Sequence, residues 1–384
     1  MGKRYASSQA LFAFGPHQTN FQTVVAPSTT PKNWRQLVKD GYDFAAFESG
    51  SANNAGESTG FALPDEIYST RDQTTASAVE QLTYQLLGIR AFDAFGVVVT
   101  EVLSVGAVFK HTFTLFDPFV SPTLPSRPLA VKGGGEPAVT ANQIYDTLMP
   151  GMTYSRFSLS ADSGNEKPNL LLSSDWQGSG QNTEPSGVIF TGASRQVWLR
   201  GDISAPHKTN INKLGGVVTF YAQENLAGTA IATECIVRNF GMTLNENLNL
   251  EGAYGICGKF QDNDPLKGSI ADNLDSTGQT VDAELTMDAD SQFLIDFGLS
   301  NRIKTKTPFS MKVVYEGPTI ATTFKHSATL KFNKSVIANH GFPTVAGGKR
   351  GLSLTLGQLG AGNSQPVSLE LITNVADFSV YQGA

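Results

Sequence analysis

Residues 109–115 read Phe109-Lys110-His111-Thr112-Phe113-Thr114-Leu115, and 215 positions later the chain reads Phe324-Lys325-His326-Ser327-Ala328-Thr329-Leu330. In both heptads apolar and polar residues alternate, the period-two signature of a strand with one face buried. Upstream, Glu57-Ser58-Thr59-Gly60 recurs as Asp275-Ser276-Thr277-Gly278, and each copy is followed by a segment with an acidic residue, Glu66 or Glu284. Earlier still, Tyr42 to Phe47 (YDFAAF) echoes Tyr254 to Phe260 (YGICGKF). Three matches in one order predict an internal duplication.

The rest of the chain supports a sheet-rich reading. Short alternating segments cut by Gly, Asn, Asp and Pro give candidate strands at Val97–Leu103, Val108–Phe116, Arg156–Ser160, Gly187–Phe190, Gln196–Leu199 and Gly216–Ala222. Further candidates are Ile231–Val237, Ala283–Met287, Ser310–Tyr315, Thr322–Phe332, Gly351–Leu356 and Pro366–Thr373. Two stretches have helical spacing. In one, Val79, Leu82, Leu86 and Leu87 fall on one face, Ser77 and Glu80 fit a capping box, and Gly88 or Gly96 stops the helix. In the other, Asp290 caps a short helix with Phe293, Leu294 and Phe297 on one face before Gly298. Each copy therefore reads as strand, long polar loop, strand, helix and at least two more strands. The loops run from Glu48 to Pro64 and from Gln261 to Thr280, longer than the ~12–15 residues usual for a loop without a task of its own.

Length and composition narrow the function classes. A chain of 384 residues corresponds to two or three domains at ~150 residues each. We divide it into an extended arm over 1–32, a first unit with extra strands over 33–244 and a second unit over 245–384, with boundaries that can interlace. Charged residues make up only 16%, against about 25% in an average domain, so a strongly charged binding surface is not expected. The net charge of −6 argues against a grip on nucleic acid, which needs a basic footprint. The five histidines have no metal-site spacing. Cys235 and Cys257 stand 22 residues apart with no CxxC; a disulfide stays open, but two buried thiols in a reducing compartment fit better. Lys3 and Arg4 precede an apolar patch broken by Ser7, Ser8 and Gln9, and Ala6 departs from the myristoylation pattern, so we read an unexported soluble protein.

Several motifs carry bland readings. Gly56-Glu57-Ser58-Thr59-Gly60 matches GxSxG, but a nucleophile elbow needs a strand before the Ser and a helix after it. Loop composition lies on both sides, so no enzymatic activity is expected. Lys132-Gly133-Gly134-Gly135-Glu136-Pro137 lacks P-loop spacing and reads as a turn. Asp262, Asp264, Asp272 and Asp275 are solvated loop acids, because Pro265 and a missing twelfth-position Glu break the calcium-loop pattern. Asp288 and Asp290 read as capping acids. His111 and His326 read as satisfied strand positions, and Asn333-Lys334-Ser335 as a sequon without a secretory context. No cofactor or metal is called for.

The pattern of two sheet-rich units, each with one helix and one long polar loop, ending on Val367-Ser368-Leu369-Glu370-Leu371-Ile372-Thr373-Asn374, resembles the major tail tube proteins of long-tailed bacteriophages. It is closest to the subset with two tube domains per chain. Phe240 to Leu248 (FGMTLNENL) looks like the strand and Asn-containing turn joining the two units in that group. The similarity covers most of Phe44 to Asn374; the N-terminal arm and Pro118–Met152 depart from it.

The resemblance implies a mainly β fold of two duplicated β-sandwich or partial-barrel domains, each with a flanking helix. It implies a virion protein without enzymatic activity. Three copies form a pseudo-sixfold ring whose sheets join edge to edge, and the rings stack helically into the conduit for genome ejection. Its partners are then other copies and other tail proteins (terminator, distal or baseplate, and tape measure). DNA slides through without sticking, helped by the acidic excess, and no membrane is involved. Assembly takes place in the host cytoplasm. Inter-ring contacts fall on Glu48, Asn53, Asn54, Glu57 and Ser58 in the first loop and Asp262, Asp264, Asp272, Asp275 and Ser276 in the second. The alternatives are a β-sandwich binding or decoration module, and a tail-terminator or baseplate ring protein.

Overall fold

The computed structural model describes the backbone of residues 11–14, 34–36, 42–53, 67–115, 126–132, 143–144, 147–162, 168–178, 189–190, 209–231, 237–248, 278–288, 290–321, 323–345, 347–360 and 365–378. Side chains are described over 75–115 and 152–162 and, from residue 168 onward, wherever the backbone is, apart from 189–190. These residues are mainly β, and nearly all strands belong to one antiparallel network.

The network bends into two leaves at β17 (Phe324–Gly341). The first leaf runs β5 (Gly96–Ser104), β6 (Val108–Leu115), β20 (Val367–Thr373), the N-terminal part of β17, β16 (Phe309–Ala321) and β12 (Gly216–Tyr221). The second runs β3 (Tyr42–Asn53), β4 (Ile67–Gln81), β10 (Leu171–Gly178), β9 (Thr147–Asp162), β14 (Val237–Asn245), β15 (Thr280–Asp288), β19 (Lys349–Gln358) and the C-terminal part of β17. Along one edge β17 pairs first with β20, up to Phe332, and then with β19, from Ser335. The hand-off is sealed by Asn333 N–H donating to Pro366 O and Leu359 N–H donating to Lys334 O.

Smaller strands complete the network. β1 (Leu11–Phe14) lies between β2 (Trp34–Gln36) and β7 (Ser126–Lys132), and β7 pairs with the start of β9. β8 (Gln143–Ile144) pairs with β11 (Ile189–Phe190), β13 (Ala230–Ile231) with the end of β12, and β18 (Thr344–Val345) with β19.

The period-two segments form strands where alternation predicts them. In β15 residues 281, 283, 285 and 287 are buried while 280, 282 and 284 are exposed. Inward side chains of both leaves join one core, in which Phe240 of β14 meets Phe332 of β17 edge to face at 6.1 Å.

Each leaf change at a helical segment follows the same order. β4 leads from the second leaf through α1 (Tyr84–Phe95) to the β5–β6 hairpin of the first. β15 leads through α2 (Ser291–Asp296) and α3 (Leu299–Thr305) to the β16–β17 hairpin. Thr83 caps α1 by accepting the Leu86 N–H, and Gly96 ends it at φ 81°, a left-handed value that favours glycine. The capping box on Ser77 and Glu80 is corrected: both lie in β4. Glu80 points inward there because the Arg90 guanidinium of α1 meets it at 2.9 Å, both side chains being buried. Arg90 also stacks over Trp176.

Asp290 caps α2 as expected, its carboxylate accepting the Gln292 N–H. As expected, α2 ends just before Gly298, which at φ 66° also starts the chain into α3. Asp288 does not cap; it forms a two-pronged ion pair with Arg238 at 3.0 Å, which holds its carboxyl below the usual range. Among the other expectations, Ile231 ends β13 and Val237 begins β14, and residues 232–236 between them lie outside the described residues. Gln196–Leu199, Cys235, Cys257 and the Gly133–Gly135 turn lie outside the described residues. Within the expected N-terminal arm, Leu11–Phe14 is paired on both sides as β1.

Candidate assembly surface

The two Phe-Lys-His strands flank one strand. β6 lies on one side of β20 and β17 on the other, with His111 and Ala328 both opposite Leu371. The matched heptads are thus two residues out of register in space. A slip of two preserves the side-chain face, so both histidines point into the core.

Their surroundings differ. His111 Nε2 donates to Val375 O at 2.7 Å and Nδ1 accepts from Thr100 Oγ1 at 2.9 Å. A neutral ring satisfies both bonds, and burial lowers its pKa. His326 stacks on Tyr84 at 5.2 Å and bonds the Ile372 carbonyl, while its Nδ1 is buried without a partner. Burial lowers its pKa too. Tyr84 reaches this position because Gly317 beneath it has no Cβ; one there would stand 2.6 Å from the ring.

The face of the first leaf turned away from the core is built from the alternate residues. One row reads Val99, Thr112, Glu370, Thr329, Val314, Val217 from edge to edge. The row beside it reads Val97, Thr114, Ser368, Lys331, Lys312, Thr219. Charges on this face are interleaved: Lys331 contacts Glu370 at 2.6 Å, Lys110 lies between Glu370 (3.7 Å) and Glu101 (3.9 Å), and Lys325 contacts Glu316 at 3.3 Å. Half-exposed pairs of this kind add about 0–1 kcal/mol each, so they set the character of the face more than its stability. The result is a Thr- and Ser-rich surface with nearly balanced charge.

Both edges of this leaf are open among the described residues. β5 pairs only with β6, and Val99 is 65% exposed with Val97, Val102 and the turn residue Val105 also exposed. β12 is covered by β13 only at Phe220 and Tyr221; Val217 is 61% exposed and Leu214 of the preceding 3-10 turn is exposed as well. Beside the β12 edge a cleft opens between the leaves, with Ala161 and Phe240 on one wall and Gly216, Val218 and Tyr315 on the other. The cations at its mouth are engaged: Arg238 with Asp288, and Lys213 Nζ with Asp162 O.

Of the residues expected at inter-ring contacts, Glu48 and Asn53 fall inside β3, opposite Gln73 and Ile67 of β4. The expectation of a loop starting at Glu48 is corrected: Glu48 to Asn53 belong to β3, which continues through two register shifts near Ala45–Glu48 and Ser49–Ser51. Asn54, Glu57, Ser58, Asp262, Asp264, Asp272, Asp275 and Ser276 lie outside the described residues. At the end of the second loop, Gln279 Nε2 donates to Ala94 O at 2.7 Å and to Glu246 Oε2 at 2.6 Å. Glu246 is fully buried and its pKa is raised well above the usual value by burial. The reading of sequence missed the open edges and Glu246. Val97, Val98 and Val99 were a visible run, but nothing in a run of valines says that one face is left bare.

Among the described residues, no three His, Cys, Asp or Glu side chains are grouped to hold a metal, and no helix is long and apolar enough to cross a membrane. No family model and no curated protein matches the chain. Among solved structures it is similar to one described as a hybrid structure of the SPP1 tail tube by solid-state NMR and cryo EM, at 12% identity over 44% of this chain and 81% of that chain, with a TM-score of 0.28.

Proposed function

We propose that this chain is a structural protein of a phage tail that polymerises with copies of itself into stacked rings, forming the tube through which the genome leaves. The observation that carries the reading is β5, a nine-residue edge strand with exposed valines, no proline or lysine of its own, and regular pairing with β6 from Gly96 to Val102, its one register shift falling at the far end between Val102 and Ser104. Such an edge is an aggregation hazard in a monomer and an asset in a protein that joins sheets with its neighbours. The sequence resemblance and the shared order strand, helical segment, hairpin in the two halves support the same reading.

On this reading the chain holds two units of one ancestry, residues 33–244 and 245–384, and three copies close a ring. The polar segments 54–64 and 261–277 supply contacts between rings. The protein resides in the virion tail, meets the other tail proteins at the tube ends, and uses no cofactor. The outward face of the first leaf, when it lines the channel, offers phosphate neither a basic grip nor a strong repulsion.

Sedimentation velocity over a concentration series tests the proposal. Species that grow with concentration to many times the 41.0 kDa chain are expected; a constant monomer contradicts it.

A further inference from the structure

We propose that β5 of one copy pairs antiparallel with β12 of the next, so that the first leaf continues unbroken from copy to copy. This rests on the self-assembly reading above and adds which two edges meet.

The first argument is direction. The leaf has six strands, β5, β6, β20, β17, β16 and β12, and every neighbouring pair is antiparallel. With an even number, the two outer strands run in opposite directions. A second copy related by rotation in a ring therefore presents β5 antiparallel to β12, as the interior of the leaf requires. A pairing of β5 with another β5 needs a two-fold axis instead, and leaves every β12 bare.

The second argument is side-chain match. Val99 and Val217 stand at opposite ends of one inter-strand row, and both are more than half exposed. Placed opposite each other, they cover one another, and the same register sets Val102 against Leu214 and Val97 against Thr219. It also brings Glu101 to the Lys213 end of β12. Cross-strand valine pairs and opposite charges both favour such a register. The contact is heterologous, so it closes into rings or winds into a filament rather than stopping at a dimer.

The test uses the full chain with Val99→Cys and, separately, Val217→Cys. Both sites are exposed, and circular dichroism verifies the fold. Mild oxidation of the two variants mixed is expected to give at least about tenfold more cross-linked pair than either variant alone, because pairing raises the effective thiol concentration. Hydrogen exchange gives a second readout that needs no particular register: amides of residues 96–103 and 216–219 are both expected to gain protection on polymerisation. Val99→Lys is expected to raise the concentration needed for assembly.

Cross-linking of Val99→Cys to itself as readily as to Val217→Cys overturns the proposal. So do wild-type polymers in which neither edge gains protection, a result that leaves the tube reading standing. Val99–Val217 cross-links in assemblies that are not tubes uphold the edge pairing and contradict the tube reading.

Discussion

The ring of Phe378 rests on the backbone of Gly88 at the middle of α1, so closely that a Cβ there would come within 2.1 Å of Cζ. The same ring meets His111 at 4.7 Å edge to face and lies 6.1 Å from Phe113. Gln85 donates to Asn374 nearby, and His111 holds the Val375 carbonyl. The C-terminal segment is thus strapped across the helix that joins the two leaves.

Gly88→Ala is therefore expected to destabilise the protein although alanine is the better helix former. Overpacking costs about 1–3 kcal/mol, against a propensity gain of at most ~1 kcal/mol. Urea unfolding measures the net loss. Introduced into a Phe378→Ala background, where the ring is gone, the same change is expected to be neutral or stabilising.

Arg302 holds the end of the second helical segment. Its guanidinium donates to the carbonyls of Phe297, Thr307, Pro308 and Ala222 and stacks over Phe297 and Phe309. Arg302→Met leaves those acceptors without their donor, at an expected cost of about 2–4 kcal/mol by chemical denaturation. Arg302→Lys is expected to recover little, since an ammonium cannot spread over four acceptors and two rings.

Glu246 gives the stability a defined pH dependence. Its folded pKa is raised by burial, so the stability it contributes as the protonated acid is complete below the unfolded value of about 4.3 and is lost as pH rises through the folded value. Glu246→Gln, which can still accept from Gln279, is expected to stabilise the protein at neutral pH. That advantage is expected to shrink towards pH 4 in melting temperatures measured across the range.

The two histidines act in the opposite direction. Their folded pKa values are lowered by burial, so their contribution is complete above the unfolded value of about 6.5 and is lost as pH falls through the folded values. They are unequal under substitution. His111→Phe removes the partner of both Thr100 Oγ1 and Val375 O, whereas His326→Phe loses only the bond to the Ile372 carbonyl, keeps the stack on Tyr84 and removes a buried unpaired nitrogen. Thermal unfolding is expected to show His111→Phe as the more damaging by about 1–3 kcal/mol.

What the sequence made legible follows from which forces are local. Alternation placed β5, β6, β12, β15, β16, β17, β19 and β20 because each has one face in the core. The start of α1 was misplaced for a physical reason: Glu80 occupies an inward strand position, and its charge hides the period until Arg90 is seen to neutralise it. Of the four residues whose spacing read as one helical face, Val79 lies in β4 and Leu82 precedes the cap, and α1 is buried almost all round rather than on one face. Of the two glycines read as possible stops, Gly96 does end α1, while the role of Gly88 is the contact with Phe378, 290 residues away in sequence. The end of α2 before Gly298 was legible, while the second helix that starts from Gly298 was not. The placement of β6 and β17 on either side of β20, and with it the open edges, depends on pairing across more than 200 residues that no local pattern encodes.

Negative-stain electron microscopy of the concentrated wild-type chain tests the central claim most directly. Tubes of stacked rings with a central channel are expected. Monomers that persist at the highest concentration reached, or closed rings that never stack, would contradict it.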